Sequence, residues 1–190
     1  MALLPPETAG SAAGAVGAVG GVVGSDNKDA NGVRPTITFN DCLSTGSVSG
    51  TNKISGFYGW HSWGAPKTIN NCLVVGEIVC DGTYKGAYFG YVNTSKEATL
   101  TNSYTSYSTV FGYASGYENK VIYGPETIMD RMDIITAGVD TLFPTSTAWV
   151  ADAGYNNVDR GTPILATFAD WWLAKQPTEG VTKKIVFSGD

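Results

Sequence analysis

Apolar and polar positions recur along this chain at steps of 30 and 31 residues. Phe39, Ile69 and Leu100 fall into one column at that step, Asp41, Asn71 and Asn102 into a second, and Cys42, Cys72 and Ser103 into a third. Leu43, Leu73 and Tyr104 continue the alignment, as do Val48, Ile78 and Thr109, with Gly46 and Gly76 ahead of the first two of these. A second block keeps the same pace: GVVG at 21–24, GFYG at 56–59, GAYFG at 86–90 and TVFG at 109–112. Segments this short cannot bury a face alone, so the period predicts units that stack and cover one another. The residues are Gly, Thr, Ser, Val and Tyr in short alternations such as TITF and GEIVC, without the i, i+3, i+4 stripes of helical repeats. Each unit is therefore predicted to be made of strands.

If like positions stack, the units lie about 4.8 Å apart in parallel, in-register ladders. Leu, Cys and Val or Ile then recur because one core column needs similar volumes in every unit. Asn71 and Asn102 recur because Asn tolerates left-handed corners and its amides can hydrogen-bond along a column. Glycines recur where the chain turns sharply or where units approach too closely for a Cβ.

The ends differ from the middle. Residues 1–16 are Ala, Gly and Val with Pro5-Pro6, and read as a flexible lead-in, with the repeats spanning 17–119. Ile128, Met132, Ile135, Val139 and Leu142 then step by 4, 3, 4 and 3, an apolar stripe that predicts a helix near 125–137. Pro125 suits its first turn, and Gly138 is expected to end it. An open stack exposes unpaired backbone, so residues 120–168 are expected to form a helix-plus-strand cap. Residues 169–190 read as a linker and a terminal strand at Thr182–Phe187.

Composition narrows the classes. Charged residues are 15% of the chain against 24 glycines and 10 tyrosines, a mix that suits short strands with tight corners. A net charge of −5 with no run of Lys and Arg lacks the footprint of nucleic-acid binding. The apolar first 24 residues lack a basic leader, and no stretch reads as a membrane span. An extracellular chain that begins this way reads as a piece of a larger multidomain protein. Cys42, Cys72 and Cys80 are odd in number and include no C-x-x-C pair; they are expected to be small buried hydrophobes, with a disulfide between two of them as the alternative, and no metal site or cofactor is expected.

The segments GGVVG…FNDCLSTGSV and GFYG…INNCLVVGEI resemble the GLUG repeat, named for a Gly-apolar-apolar-Gly core and found in bacterial surface proteins that include some immunoglobulin-A peptidases and large adhesins. The resemblance covers roughly residues 17–115; WVADAGYNNVDRGTPIL at 149–165 is similar to the segment that often closes such repeats, which implies a Trp strand, an Asn-containing turn and a Gly-x-Pro-x-Leu strand. The third copy departs, with Tyr107 where Gly46 and Gly76 stand and a short return from Thr109 to Gly112. The resemblance implies an all-β, right-handed parallel β-solenoid (β-helix) of three to four coils at a bacterial cell surface or outside the cell. The spacing alone implies only a stacked β repeat.

Chemistry is sparse. Asp41, Glu77, Asp81 and Glu97 are the carboxylates of the repeats; Asp41 shares a column with asparagines and Glu77 with Ser47 and Ser108, as corner and solvated-face residues would. Asp26 and Asp29 lack the ligand spacing of a calcium loop. His61 is the one histidine, and no nucleophile elbow accompanies it. The suggestive feature is aromatic: Trp60, Tyr91 and Tyr113 directly follow the repeat glycines, and His61 and Trp63 lie in the adjoining turn, expected on the outside. Rings in a row stack on sugar faces, anchor protein interfaces, or simply support one another. The expected function is a non-catalytic surface module for adhesion or spacing, with a glycan or a host or cell-surface protein as partner. The alternatives are a carbohydrate-active β-helix enzyme, a carbohydrate-binding solenoid and, from TLTNSYTSYST at 99–109, an ice-binding face.

Overall fold

In the computed structural model, residues 19–25, 31, 33, 36–61, 65–152 and 161–175 are described. The first repeat contributes β1 (Val19–Gly20), β2 (Val23–Ser25), β3 (Ile37–Asn40), β4 (Leu43–Ser44) and β5 (Val48–Gly50). The second contributes β6 (Ile54–Ser55), β7 (Tyr58–His61), β8 (Lys67–Asn70), β9 (Leu73–Val74) and β10 (Ile78–Cys80). The third gives β11 (Lys85–Gly86), β12 (Phe89–Val92), β13 (Ala98–Thr101) and β14 (Tyr104–Thr105), followed by β15 (Phe111–Tyr113) and β16 (Val121–Ile122).

Each of these strands pairs in parallel with its counterpart in the neighbouring repeat. The ladders run β1-β6-β11, β2-β7-β12-β15, β3-β8-β13-β16, β4-β9-β14 and β5-β10. Phe39 stands opposite Ile69 and Ile69 opposite Leu100; Leu43, Leu73 and Tyr104 follow suit. The molecule is thus mostly strands in parallel sheets with few helices, and matching residues are vertical neighbours.

The corner column shows why those residue types recur. Asp41, Asn71 and Asn102 have φ of 53°, 51° and 45°, the left-handed region that Asn and Asp tolerate best. Asn102 Nδ2 donates to Asn71 Oδ1 at 3.3 Å, and alongside it Asn70 Nδ2 donates to Asn40 Oδ1 at 2.9 Å. Close approach explains Gly76, where a Cβ would stand 2.2 Å from the Gly46 carbonyl oxygen. In the next column each side chain turns to the carbonyl two residues back: Cys42 Sγ to Asn40, Cys72 Sγ to Asn70 and Ser103 Oγ to Thr101, at 3.4, 3.2 and 2.9 Å. One geometric demand, a small hydrogen-donating side chain, selects all three.

The third repeat is cut short. Tyr58 pairs with Phe89, 31 residues on, but Phe89 pairs with Phe111, only 22 on. Val48 and Ile78 pair as buried strand residues, whereas Thr109, expected in their column, is exposed. Its carbonyl instead accepts from Ala87 N at 2.8 Å, so the chain crosses early to the next ladder.

Two apolar clusters form. The interior holds Ile54, Phe57, Tyr58, Ile69, Cys72, Val74, Tyr88, Phe89 and Leu100, with Phe39 edge-on to Phe57 at 5.0 Å. The second lies on the outside of β4-β9-β14. There Leu43, Leu73 and Tyr104 meet Ile134, Leu142, Phe143 and Trp149. The leucine column therefore does not belong to the same core as the cysteine column: Leu43 and Leu73 open the strands directly after Cys42 and Cys72, and successive side chains of extended chain face opposite ways.

That outer cluster is completed by the C-terminal segment. Pro125–Thr127 is a 3-10 turn rather than the head of the helix, after which Ile128 bridges in parallel to Thr105 and extends the ladder. Helix α1 (Arg131–Leu142) begins later than the stripe predicts; Gly138, at φ 68° and ψ 178°, breaks the helical backbone as expected, and a second helical segment follows it to Leu142. Its buried residues are Ile134 and Leu142; Met132 of the expected stripe is 66% exposed. Strands β17 (Trp149–Val150) and β18 (Ile164–Leu165) form where the resemblance implies two strands, and they pair antiparallel. Helix α2 (Ala166–Lys175) occupies the start of what reads as linker. The segment caps the end of the stack through Ile128 and braces its side through α1 and Trp149, whose Nε1 donates to the Asn71 carbonyl at 3.0 Å. The lead-in 1–16, Asp26, Asp29, the Asn-containing turn and the Thr182–Phe187 strand lie outside the described residues.

Candidate aromatic binding face

The outward rings owe their placement to the repeat glycines. Tyr58 and Phe89 point into the stack and pair with each other; the ladder then skips Gly59 and Gly90, and Trp60 pairs with Tyr91. This step breaks strict alternation, so Trp60 and Tyr91 emerge half-buried on the surface while the residues after them turn back inside. The two rings lie 6.4 Å apart, tilted by 48°. Trp60 Nε1 donates to Asn93 Oδ1 at 3.1 Å, which fixes the indole.

Two residues that sequence reasoning missed complete the face. Tyr84 lies 4.3 Å from Tyr91, and Lys53 Nζ sits 3.9 Å from the Trp60 ring centre and 5.2 Å from that of Tyr91. Lys53 and Tyr84 each precede a laddered residue, Ile54 and Lys85, so they occupy equivalent positions 31 residues apart. The period was the available signal, but a lysine and a tyrosine do not look like one column. Partial burial and the neighbouring Tyr84 raise the Tyr91 phenol above its ordinary value. A half-buried cation over two aromatic faces is a favourable arrangement, worth about 0.5–2 kcal/mol.

Tyr113 joins the row only loosely. It is 44% exposed, but the register shifts between Phe89 and Val92, so Tyr113 pairs with Val92 rather than Tyr91, and its ring contacts Phe111 at 5.4 Å. His61 corrects the expectation of an exposed turn. The glycine step carries it inside, where it is fully buried between Tyr58 at 6.4 Å and Phe89 at 5.5 Å. Trp63 lies outside the described residues.

The carboxylates do not converge on this face. Asp41 Oδ1 accepts from the Ser146 hydroxyl of the brace, Glu77 accepts from Ser47 at 3.3 Å, and Glu97 makes an exposed ion pair with Lys120 at 3.9 Å. Among the described residues no three His, Cys, Asp or Glu side chains group as metal ligands, and no helix is long and apolar enough to cross a membrane. Comparison with protein-family models, with curated proteins and with solved structures finds no match to this chain.

Proposed function

We propose that this chain is a non-catalytic module of a bacterial surface or extracellular protein, a right-handed β-solenoid of three to four coils that holds an aromatic face toward a glycan. The resemblance of its repeats to the GLUG pattern supports the first part of this reading, and the in-register parallel ladders agree with it. The observation that carries the second is the half-exposed trio of Trp60, Tyr84 and Tyr91 with Lys53 across it. A fixed indole and a flanking amide offer what a sugar ring requires: a flat apolar surface for its C–H face and polar groups for its hydroxyls. The module stands within a larger chain and serves as spacer as well as contact.

The test is glycan-array binding of the chain against the Trp60→Ala and Tyr84→Ala variants. Loss of one stacking ring should weaken binding roughly tenfold or more, about 1.4 kcal/mol or above, with the midpoint of thermal unfolding within a few degrees of the parent. Binding that survives both changes, or falls only in step with stability, would make the rings structural props.

A further inference from the structure

Cys42 and Cys72 occupy one column of the stack. The residues two before them, Asn40 and Asn70, are register partners, and so are the residues directly after, Leu43 and Leu73. Both thiols turn the same way, each toward the carbonyl two residues back. One ladder spacing, about 4.8 Å, falls inside the Cα separation of about 4.4–6.8 Å over which cystines form. Cys80 has no such neighbour: its ladder partner is Gly50, and its sulfur faces the carbonyls of Gly82 and Tyr84.

The two thiols are also differentiated. Cys72 is fully buried and Cys42 only partly. The neighbouring Cys72 side chain holds Cys42 below the ordinary thiol value, and the neighbouring Cys42, with burial second, pushes Cys72 well above it. Cys42 is thus the reachable, more readily ionised member and Cys72 the resolving member behind it.

We propose that Cys42 and Cys72 form a reversible redox pair whose disulfide fastens the first repeat to the second. With a small disulfide RSSR as oxidant, the Cys42 thiolate attacks one sulfur and releases RS⁻, leaving a mixed disulfide on Cys42. Cys72 then gives up its proton and attacks the Cys42 sulfur, releasing the second RS⁻. The net change is two protein thiols and RSSR becoming one protein disulfide and two RSH. The bond closes across the edge of the stack, where the first repeat has a paired neighbour on one side only within the described residues.

The experiment treats the full chain with oxidised glutathione, alkylates the remaining thiols and maps peptides without reductant. The expected product is an intramolecular Cys42–Cys72 link, with Cys80 still alkylated, reversed by dithiothreitol, and retained in Cys80→Ser. Amide exchange in β3 to β5 should slow at least severalfold on oxidation. Cys42→Ser and Cys72→Ser should each abolish the link while folding normally, because Ser103 already fills this column with the same carbonyl contact. Glutathione that stays on Cys42 without resolution, three thiols that all remain alkylatable, or a link that includes Cys80 would each overturn the proposal. None of these outcomes depends on glycan binding.

Discussion

Replacing Asn71 separates two contributions that the stacked corner combines. Its backbone sits at φ 51°, and its side-chain oxygen accepts from Asn102 Nδ2 at 3.3 Å. In Asn71→Ala both are lost: a Cβ-bearing residue without a local polar side chain costs about 1–2 kcal/mol in the left-handed region, and the amide bond contributes about 0.5–1.5 kcal/mol. The sum is about 1.5–3.5 kcal/mol. Asn71→Gly removes the amide bond but accepts the backbone conformation, so it should cost about 1 kcal/mol, part of it from greater freedom of the unfolded chain. The Trp149 contact is to the Asn71 main-chain carbonyl and survives both changes. Urea denaturation followed by circular dichroism gives the ranking parent, Gly, Ala, and a cycle with Asn102→Ala should return a coupling of about 0.5–1.5 kcal/mol. Equal stability of the Ala and Gly variants would refute the corner reasoning, and zero coupling would refute the amide ladder.

Two further outcomes follow from the packing. Leu73→Ala should destabilise by about 2–5 kcal/mol, because the side chain is fully buried between β9 and the brace; limited proteolysis should then cut first between residues 125 and 150, and unchanged protection there would show that the brace is held elsewhere. Tyr88 is fully buried, with its hydroxyl 2.8 Å from the Cys72 and Tyr104 carbonyls, and burial raises its phenol well above the ordinary value. A raised folded-state value means that stability is complete below the unfolded value of about 10 and declines as pH rises beyond it. Tyr88→Phe should therefore be less stable at neutral pH by about 1–3 kcal/mol yet lose less stability between neutral and strongly alkaline pH; parallel pH curves for the two proteins would contradict this.

Much of the stack is legible because register makes volume visible. Phe39, Ile69 and Leu100 match in size at a fixed period, and Asn71 and Asn102 share a conformational demand that few residues meet. What escapes the sequence is phase. A strand of two residues gives no alternation to read, so Leu73 and Val74 look alike, although one faces the brace and the other the interior. The glycine step at Gly59 inverts the expected sides of β7 and brings His61 inside. Lys67, 1% exposed with Nζ donating to the Ala65 carbonyl at 3.0 Å, is likewise invisible to a rule that puts lysine in water. In α1 the stripe places Leu142 inside as expected, but the helix starts only at Arg131, and Ile134 is buried where Met132 was expected. The aromatic pair Trp60 and Tyr91 was readable; Lys53 and Tyr84 were not, since their kinship is positional and not chemical.

The brace also acts as a ruler. It covers an outer column of three residues, Leu43, Leu73 and Tyr104, and one turn of chain beyond it closes the shortened end. A duplicated thirty-residue segment inserted in the middle would lengthen the stack by about 4.8 Å and add one more leucine to the column that the brace covers. Each added layer would therefore need cover from the same C-terminal segment, and growth of this protein by repeat expansion is coupled to a part of the chain outside the repeats.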